Sequence, residues 1–265
     1  MGEPTSRIED MATPTFVRIW MCGPLLVEYL NKQGYEELPI SAWRGRRSPR
    51  LLLKALLCAP GRQMQREALP ALLWPDSPPS KQELSCASSI LRHILRDPVT
   101  NRSLLLTENS GQFYRLDTLW CDADAALWCL DQAEKHGKTT DEAFPWLQQA
   151  ESYFKRGMLL QGDEFAWIHG PRNRVAAARY RCRRWLVEAY VHRGQSGQAE
   201  SLLNDLLREE PMDEEVIYRL MEIFCQQSMR GHALKLFEEA QERFRAQPQK
   251  MSSTLLAYAD RLKNT

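Results

Sequence analysis

Two hydrophobic patterns divide the chain. Up to about residue 120, apolar positions recur in short runs broken by turn residues; beyond it they recur at helical spacing almost without interruption. Residues 16–21 (FVRIWM) alternate loosely and predict a strand, Gly23-Pro24 a turn, and residues 25–30 a second strand. A turn-rich stretch at 31–34 leads to a short third strand at 37–40. Ser48-Pro49 opens a helix, because proline's fixed φ and missing N–H are tolerated in a first turn. Leu51, Leu52, Ala55, Leu56 and Ala59 lie on one face of that helix, and Pro60-Gly61 stops it. Leu69, Leu72 and Leu73 mark a second short helix, closed by Trp74-Pro75. Ser80 followed by Glu83 has capping-box spacing and starts a third helix, which runs to about Arg96 before Asp97-Pro98 breaks it. Two strands, 103–107 and 112–116, meet around Asn109-Ser110-Gly111 as a β-hairpin.

From about residue 121 the pattern is helical. Ala126, Leu127, Leu130 and Ala133 give one face; Phe144, Leu147, Ala150, Tyr153 and Phe154 give another; a long helix is expected over 172–192. An internal repeat of period 34 follows, pairing Leu186 with Leu220, Tyr190 with Phe224, Gly197 with Gly231, Ala199 with Ala233 and Leu203 with Phe237. That is the period of tetratricopeptide (TPR) repeats. The small residues at 199 and 233 fall where two helices must approach closely, and the two glycines are placed in the turn between them. Two repeats cannot bury their own faces, so the helices before 172 are expected to complete the stack irregularly. The reading is therefore an α+β winged helix-turn-helix domain over 16–117, preceded by a loose tail at 1–15 and followed by an all-α TPR-like helical repeat domain over 121–265.

Composition narrows the function without naming it. The formal charge is +1, which neither demands nor excludes a polyanionic partner. Seven scattered cysteines without a CxxC pair fit reduced thiols in a cytoplasmic protein. No apolar run approaches the ~20 residues of a membrane span, and the N-terminus lacks the basic-then-apolar order of a signal peptide. The five histidines show no HxxxH or HExxH spacing, and no GxSxG elbow occurs. Gly137-Lys138-Thr139 suggests a phosphate loop, but position 132 is Gln where that motif needs Gly; a helix C-cap at Gly137 is expected instead. No enzyme, cofactor or metal site is expected.

Local charge is more informative. Arg44, Arg46, Arg47, Arg50, Lys54, Arg62 and Arg66 fall within residues 41–66 with no acid among them. Duplex DNA carries one charge per ~1.7 Å of axis, so such a cluster suits phosphates, although charge runs are commonly just solvated faces. In the third helix Leu84, Ala87, Leu91, Ile94 and Leu95 form an apolar stripe. The opposite face carries Lys81, Gln82, Ser85, Cys86, Ser89, Arg92, His93 and Arg96. Gln82, Ser85 and Ser89 are the candidates for base edges; Lys81, Arg92, His93 and Arg96 are the candidates for phosphates. Asn109 at the hairpin tip could reach a groove or simply close the turn. A second arginine run (Arg172, Arg174, Arg179, Arg181, Arg183, Arg184, Arg193) is expected to face solvent or to pair with Glu209, Glu210, Asp213, Glu214 and Glu215.

The order of these elements resembles the SARP-type (antibiotic regulatory protein) activators, which join a response-regulator-type winged helix to a bacterial transcriptional activator domain. The resemblance spans about residues 16–262. It is carried by VRIWMCGPLLV at 17–27, RRSPRLLLKALLCAPG at 46–61, REALPALLWPDSPP at 66–79, Leu91-Arg92 with Leu95, Leu106-Thr107 with Gly111 and residues 113–116, and residues 163–167 before an arginine-rich helix. Ser88 stands where the family usually has an apolar residue, Ile90 where it has a basic one, and Gln65 where a serine caps the second helix. The resemblance implies binding of double-stranded DNA at repeated half-sites and transcriptional activation. RNA polymerase and a second copy of the chain are its further candidate partners. The competing reading is a TPR-type adaptor or ligand sensor whose winged helix no longer grips DNA strongly.

Overall fold

The structure is a computed structural model that describes residues 16–75, 81–117, 119–248 and 250–264, with only the backbone of Lys81. The expected tail at 1–15 and the Ser80 half of the capping box lie outside the described residues. The described residues form two compact units, one drawn from those up to 131 and 149–179, the other from 132–148 and from 180 onward.

The first unit opens with β1 (Val17–Trp20), β2 (Leu26–Asn31) and β3 (Gly34–Glu37). The third strand therefore lies three residues earlier than the pattern predicts, and residues 40–43 form a 3-10 turn. Gly34 explains the shift: its φ of +126° tightens the hairpin and pairs Asn31 with Gly34 and Leu30 with Tyr35. Helices α1 (Ser48–Cys58), α2 (Leu69–Leu73) and α3 (Lys81–Ile94) follow, then β5 (Leu105–Glu108) and β6 (Phe113–Leu116). In α1 the buried face includes Leu53 and Cys58 rather than the expected Leu51 and Ala59.

Two short strands have no alternation to announce them. β4 (Gln63–Gln65) pairs with β6, giving a three-stranded sheet in the order β4-β6-β5. β7 (Trp120–Cys121) pairs in parallel with β1 and completes a four-stranded sheet, β3-β2-β1-β7. Aromatic packing accompanies that pairing: Trp120 meets Trp20 edge-on at 4.8 Å and Tyr153 at 5.8 Å.

The Gly23 corner is a close approach of two backbones. Gly23 (φ +94°) donates to the Met158 carbonyl at 2.9 Å, and a Cβ there would meet the Arg156 carbonyl at 3.0 Å. Asp122 begins α4 (Asp122–Lys135) fully buried, and its carboxylate accepts from the backbone N–H of Met21 (2.6 Å), Cys22 (3.0 Å) and Ala123 (2.8 Å). Arg172 is likewise buried; it donates to the carbonyls of Leu159, Leu160 and Asp163 instead of facing solvent or an acid as the sequence suggested. Its helix, α6 (Ala166–His192), starts six residues earlier than expected and holds Pro171 inside. Leu127 of α4, expected on the apolar face, is 37% exposed.

The remaining helices are α5 (Phe144–Phe154), α7 (Ser196–Glu209), α8 (Glu214–Gln226), α9 (Arg230–Arg245) and α10 (Ser253–Asn264). In the second unit α7 packs on α8, α8 on α9 and α9 on α10. The 34-residue repeat is visible in the burial: Leu186, Leu220, Ala199, Ala233, Leu203 and Phe237 are all buried, and Tyr190 and Phe224 pack against the core of this unit. Gly197 and Gly231 lie in the first turns of α7 and α9, not between helices, and neither has a positive φ. The expected arginine–acid pairing holds for Arg183 with Glu209 and Arg184 with Glu215. Gly137 (φ +93°) ends α4 as a C-cap, with the next N–H bonding back to the Ala133 carbonyl at 2.8 Å.

Candidate nucleic-acid interface

α3 is amphipathic, with one buried and one exposed face. Leu84, Ala87, Leu91 and Ile94 are buried, together with Leu95 just beyond the helix. Gln82, Ser85, Ser89, His93 and Arg96 are exposed along one strip. From 82 to 93 that strip is about 16 Å long at 1.5 Å per residue, enough to lie in a major groove about 12 Å wide. Ile90 is buried, at 3% exposure. The residue that departs from the family there is thus a core residue of this helix and takes no cation from its exposed strip.

Ser88 has a similar explanation. It is 1% exposed, donates to the Ser85 carbonyl at 3.0 Å and accepts from the Tyr114 hydroxyl at 3.2 Å. A polar residue inside this core is satisfied because β6 supplies a phenol opposite it. Arg92 makes a second link from helix to hairpin: it donates to Thr107 Oγ1 at 2.6 Å and lies over the Tyr114 ring at 5.5 Å. Arg66 lies over the same ring at 5.6 Å. Arg96 donates to Asn101 Oδ1 at 3.1 Å.

At the hairpin tip Asn109, Ser110 and Gly111 all have positive φ (+48°, +54° and +94°), and Asn109 is exposed. Glu108 beside the tip is paired with Arg115 at 2.6 Å.

The basic segment separates into two groups. Lys54 binds Asp163 at 2.6 Å, and Arg62 binds Asp124 and the Leu119 carbonyl. Arg50 rests over Trp43 at 5.0 Å. Arg44, Arg46 and Arg47 are exposed, and no described acid pairs with them. Ser48 places these three arginines beside α3: its hydroxyl donates to Glu83 Oε1 at 2.7 Å, tying the start of α1 to the first turn of α3. The sequence showed the charge run but not which of its members are already neutralised, because their acids lie 62 to 109 positions away.

Elsewhere the chemistry is quiet. Among the described residues no group of three or more His, Cys, Asp or Glu could hold a metal, and no helix is long and apolar enough to cross a membrane. The cysteines are free thiols; burial pushes Cys58 up to about 11 and Cys129 up to about 12, so neither is a ready thiolate.

The strands, three helices and hairpin of residues 17–116, followed by packed helices with a 34-residue repeat, form a winged helix-turn-helix joined to TPR-like helices. Residues 121–248 match the family described as bacterial transcriptional activator domain. A solved structure of Mycobacterium tuberculosis EmbR, in complex with a low-affinity phosphopeptide, superposes with a TM-score of 0.75 at 21% identity. That match covers 94% of this chain and 65% of the EmbR chain, so this chain spans just under two thirds of the structure it resembles. No curated protein matches by sequence.

Proposed function

We propose that this chain is a sequence-specific DNA-binding transcriptional activator. α3 enters the major groove, with Gln82, Ser85 and Ser89 facing base edges and His93 and Arg96 beside phosphates. Arg44, Arg46 and Arg47 hold the backbone next to the start of that helix, and Lys81 and Asn109 are further candidate contacts. Arg92 acts mainly by fixing the hairpin against α3. Arg50 contributes its charge from its place on Trp43. The TPR-like helices provide the surface for the transcription machinery or for a second copy, raising the local concentration of polymerase at an occupied site.

One observation carries this reading: an exposed strip of polar and basic side chains on α3 lies next to three exposed arginines that no described acid neutralises. Selection from a random duplex pool at two salt concentrations tests it. Enrichment of a repeated motif whose binding weakens with salt is the expected result. Feeble binding at low salt without enrichment would overturn it in favour of a helical-repeat adaptor.

A further inference from the structure

A cavity of about 820 Å³ opens within the first unit, bounded by the end of α1, the base of β6, the first turns of α4 and residues of α6. Small-molecule sites occupy roughly 300–1,000 Å³ and are mostly apolar with a few placed polar groups. Met21, Leu57, Leu116, Leu119, Leu159 and Val175 form apolar wall, most of it buried side chain.

The charged lining decides what such a site would take. Three arginines and two aspartates border the cavity. Arg62 is held by Asp124, and Arg115 by Glu108 with Asp117 at 3.8 Å. Arg174 alone of the three is exposed with no described hydrogen bond or acid partner. It lines the cavity from α6, beside Pro171 and Val175. A guanidinium at the mouth of an apolar cavity matches a ligand with one anionic head and an apolar body. A planar carboxylate suits the two-pronged donor best, forming charge-assisted hydrogen bonds where the other two arginines already have theirs.

We infer that this cavity binds a small amphipathic carboxylic acid, its carboxylate on Arg174 and its apolar body against Leu57, Leu119 and Val175. The site is independent of DNA binding and stands or falls separately from it. Its position has a regulatory consequence. Arg115 and Leu116 belong to β6, the strand that also carries Tyr114, so an occupant would touch the same strand that braces α3.

Calorimetric titration of the full chain with decanoate tests this, with decanol and decyltrimethylammonium as matched controls below their micelle concentrations. Saturable binding of decanoate alone is expected. Arg174→Gln should weaken it roughly tenfold or more, the size expected for losing a hydrogen bond to a charged group. Leu127→Trp, which adds bulk on a half-open wall, should also weaken it. Circular dichroism melting shows whether either variant still folds; both positions are exposed, so folding is expected to persist. No saturable decanoate binding would overturn the inference. So would equal binding of the alcohol, or a decanoate affinity unchanged in both variants.

Discussion

The Tyr114 hydroxyl donates to the Ser88 hydroxyl across 3.2 Å, inside a core where Ser88 is 1% and Tyr114 2% exposed. One partner belongs to the helix proposed to read DNA and the other to a strand of the hairpin behind it. The bond joins residues 26 positions apart. Ser88→Ala removes the acceptor and leaves a buried phenol unsatisfied. We expect it to lower unfolding free energy by about 1–3 kcal/mol, whereas adding Tyr114→Phe should recover much of that loss. Urea denaturation of the two single variants and the double variant gives the coupling directly. Additive single effects would show that the bond contributes no more than its separate parts.

The proposed interface makes a distinction between positioning and reading. Arg46→Ala with Arg47→Ala should weaken binding to all duplexes alike and reduce the slope of log K against log salt by about 0.9 for each phosphate no longer neutralised. Ser89→Ala should leave that slope unchanged and shift preference at a single base position. Fluorescence anisotropy over a salt series, with specific and scrambled duplexes, measures both. An unchanged slope in the arginine variant would place the phosphate grip elsewhere.

Asp122 is the buried titratable group with the clearest pH consequence. Desolvation raises its pKa from 3.8 to about 6, although three backbone N–H bonds and Arg156 pull the other way. Because the folded value lies above the unfolded one, the folded state binds more protons between about pH 4 and pH 6. Stability from this group is therefore greatest at the acid end and falls as pH rises through about 6. Asp122→Asn removes that titration and also puts a donor where the Cys22 N–H needs an acceptor. Wild type should exceed the variant in stability throughout, with the gap widening as pH falls from about 6.5 to about 4. Unfolding curves across that range check the sign, and a gap that narrows toward acid would contradict it.

How much of this was legible in the sequence depends on range. The helix-turn-helix stripe, the hairpin around Asn109 and the 34-residue repeat rest on local periodicity, and each occurs in the structure. β4 and β7 have three and two residues, too few for alternation to register. Pro171 hid the start of α6, since a proline inside a periodic run normally marks a boundary, and here the helix runs through it. The candidate interface shows the same limit. The arginine run was plain, but Lys54 and Arg62 find their acids far along the chain, and nothing near Ser88 announces Tyr114.

The repeat itself offers the last test. Ala199 and Ala233 occupy equivalent places, both 0% exposed, each in a helix packed against α8. Helices that approach this closely leave no room for three more carbons. Ala233→Leu should therefore force rotamer or backbone strain and cost about 1–3 kcal/mol, despite adding apolar surface. Ala233→Gly should also destabilise, by about 1 kcal/mol from helix propensity, with the missing methyl group adding to it. Both signs being unfavourable is the signature of a position fixed by packing rather than by polarity. Thermal unfolding of the two variants measures this. A leucine variant as stable as the parent would mean that the gap between α8 and α9 is looser than a zero-exposure alanine implies.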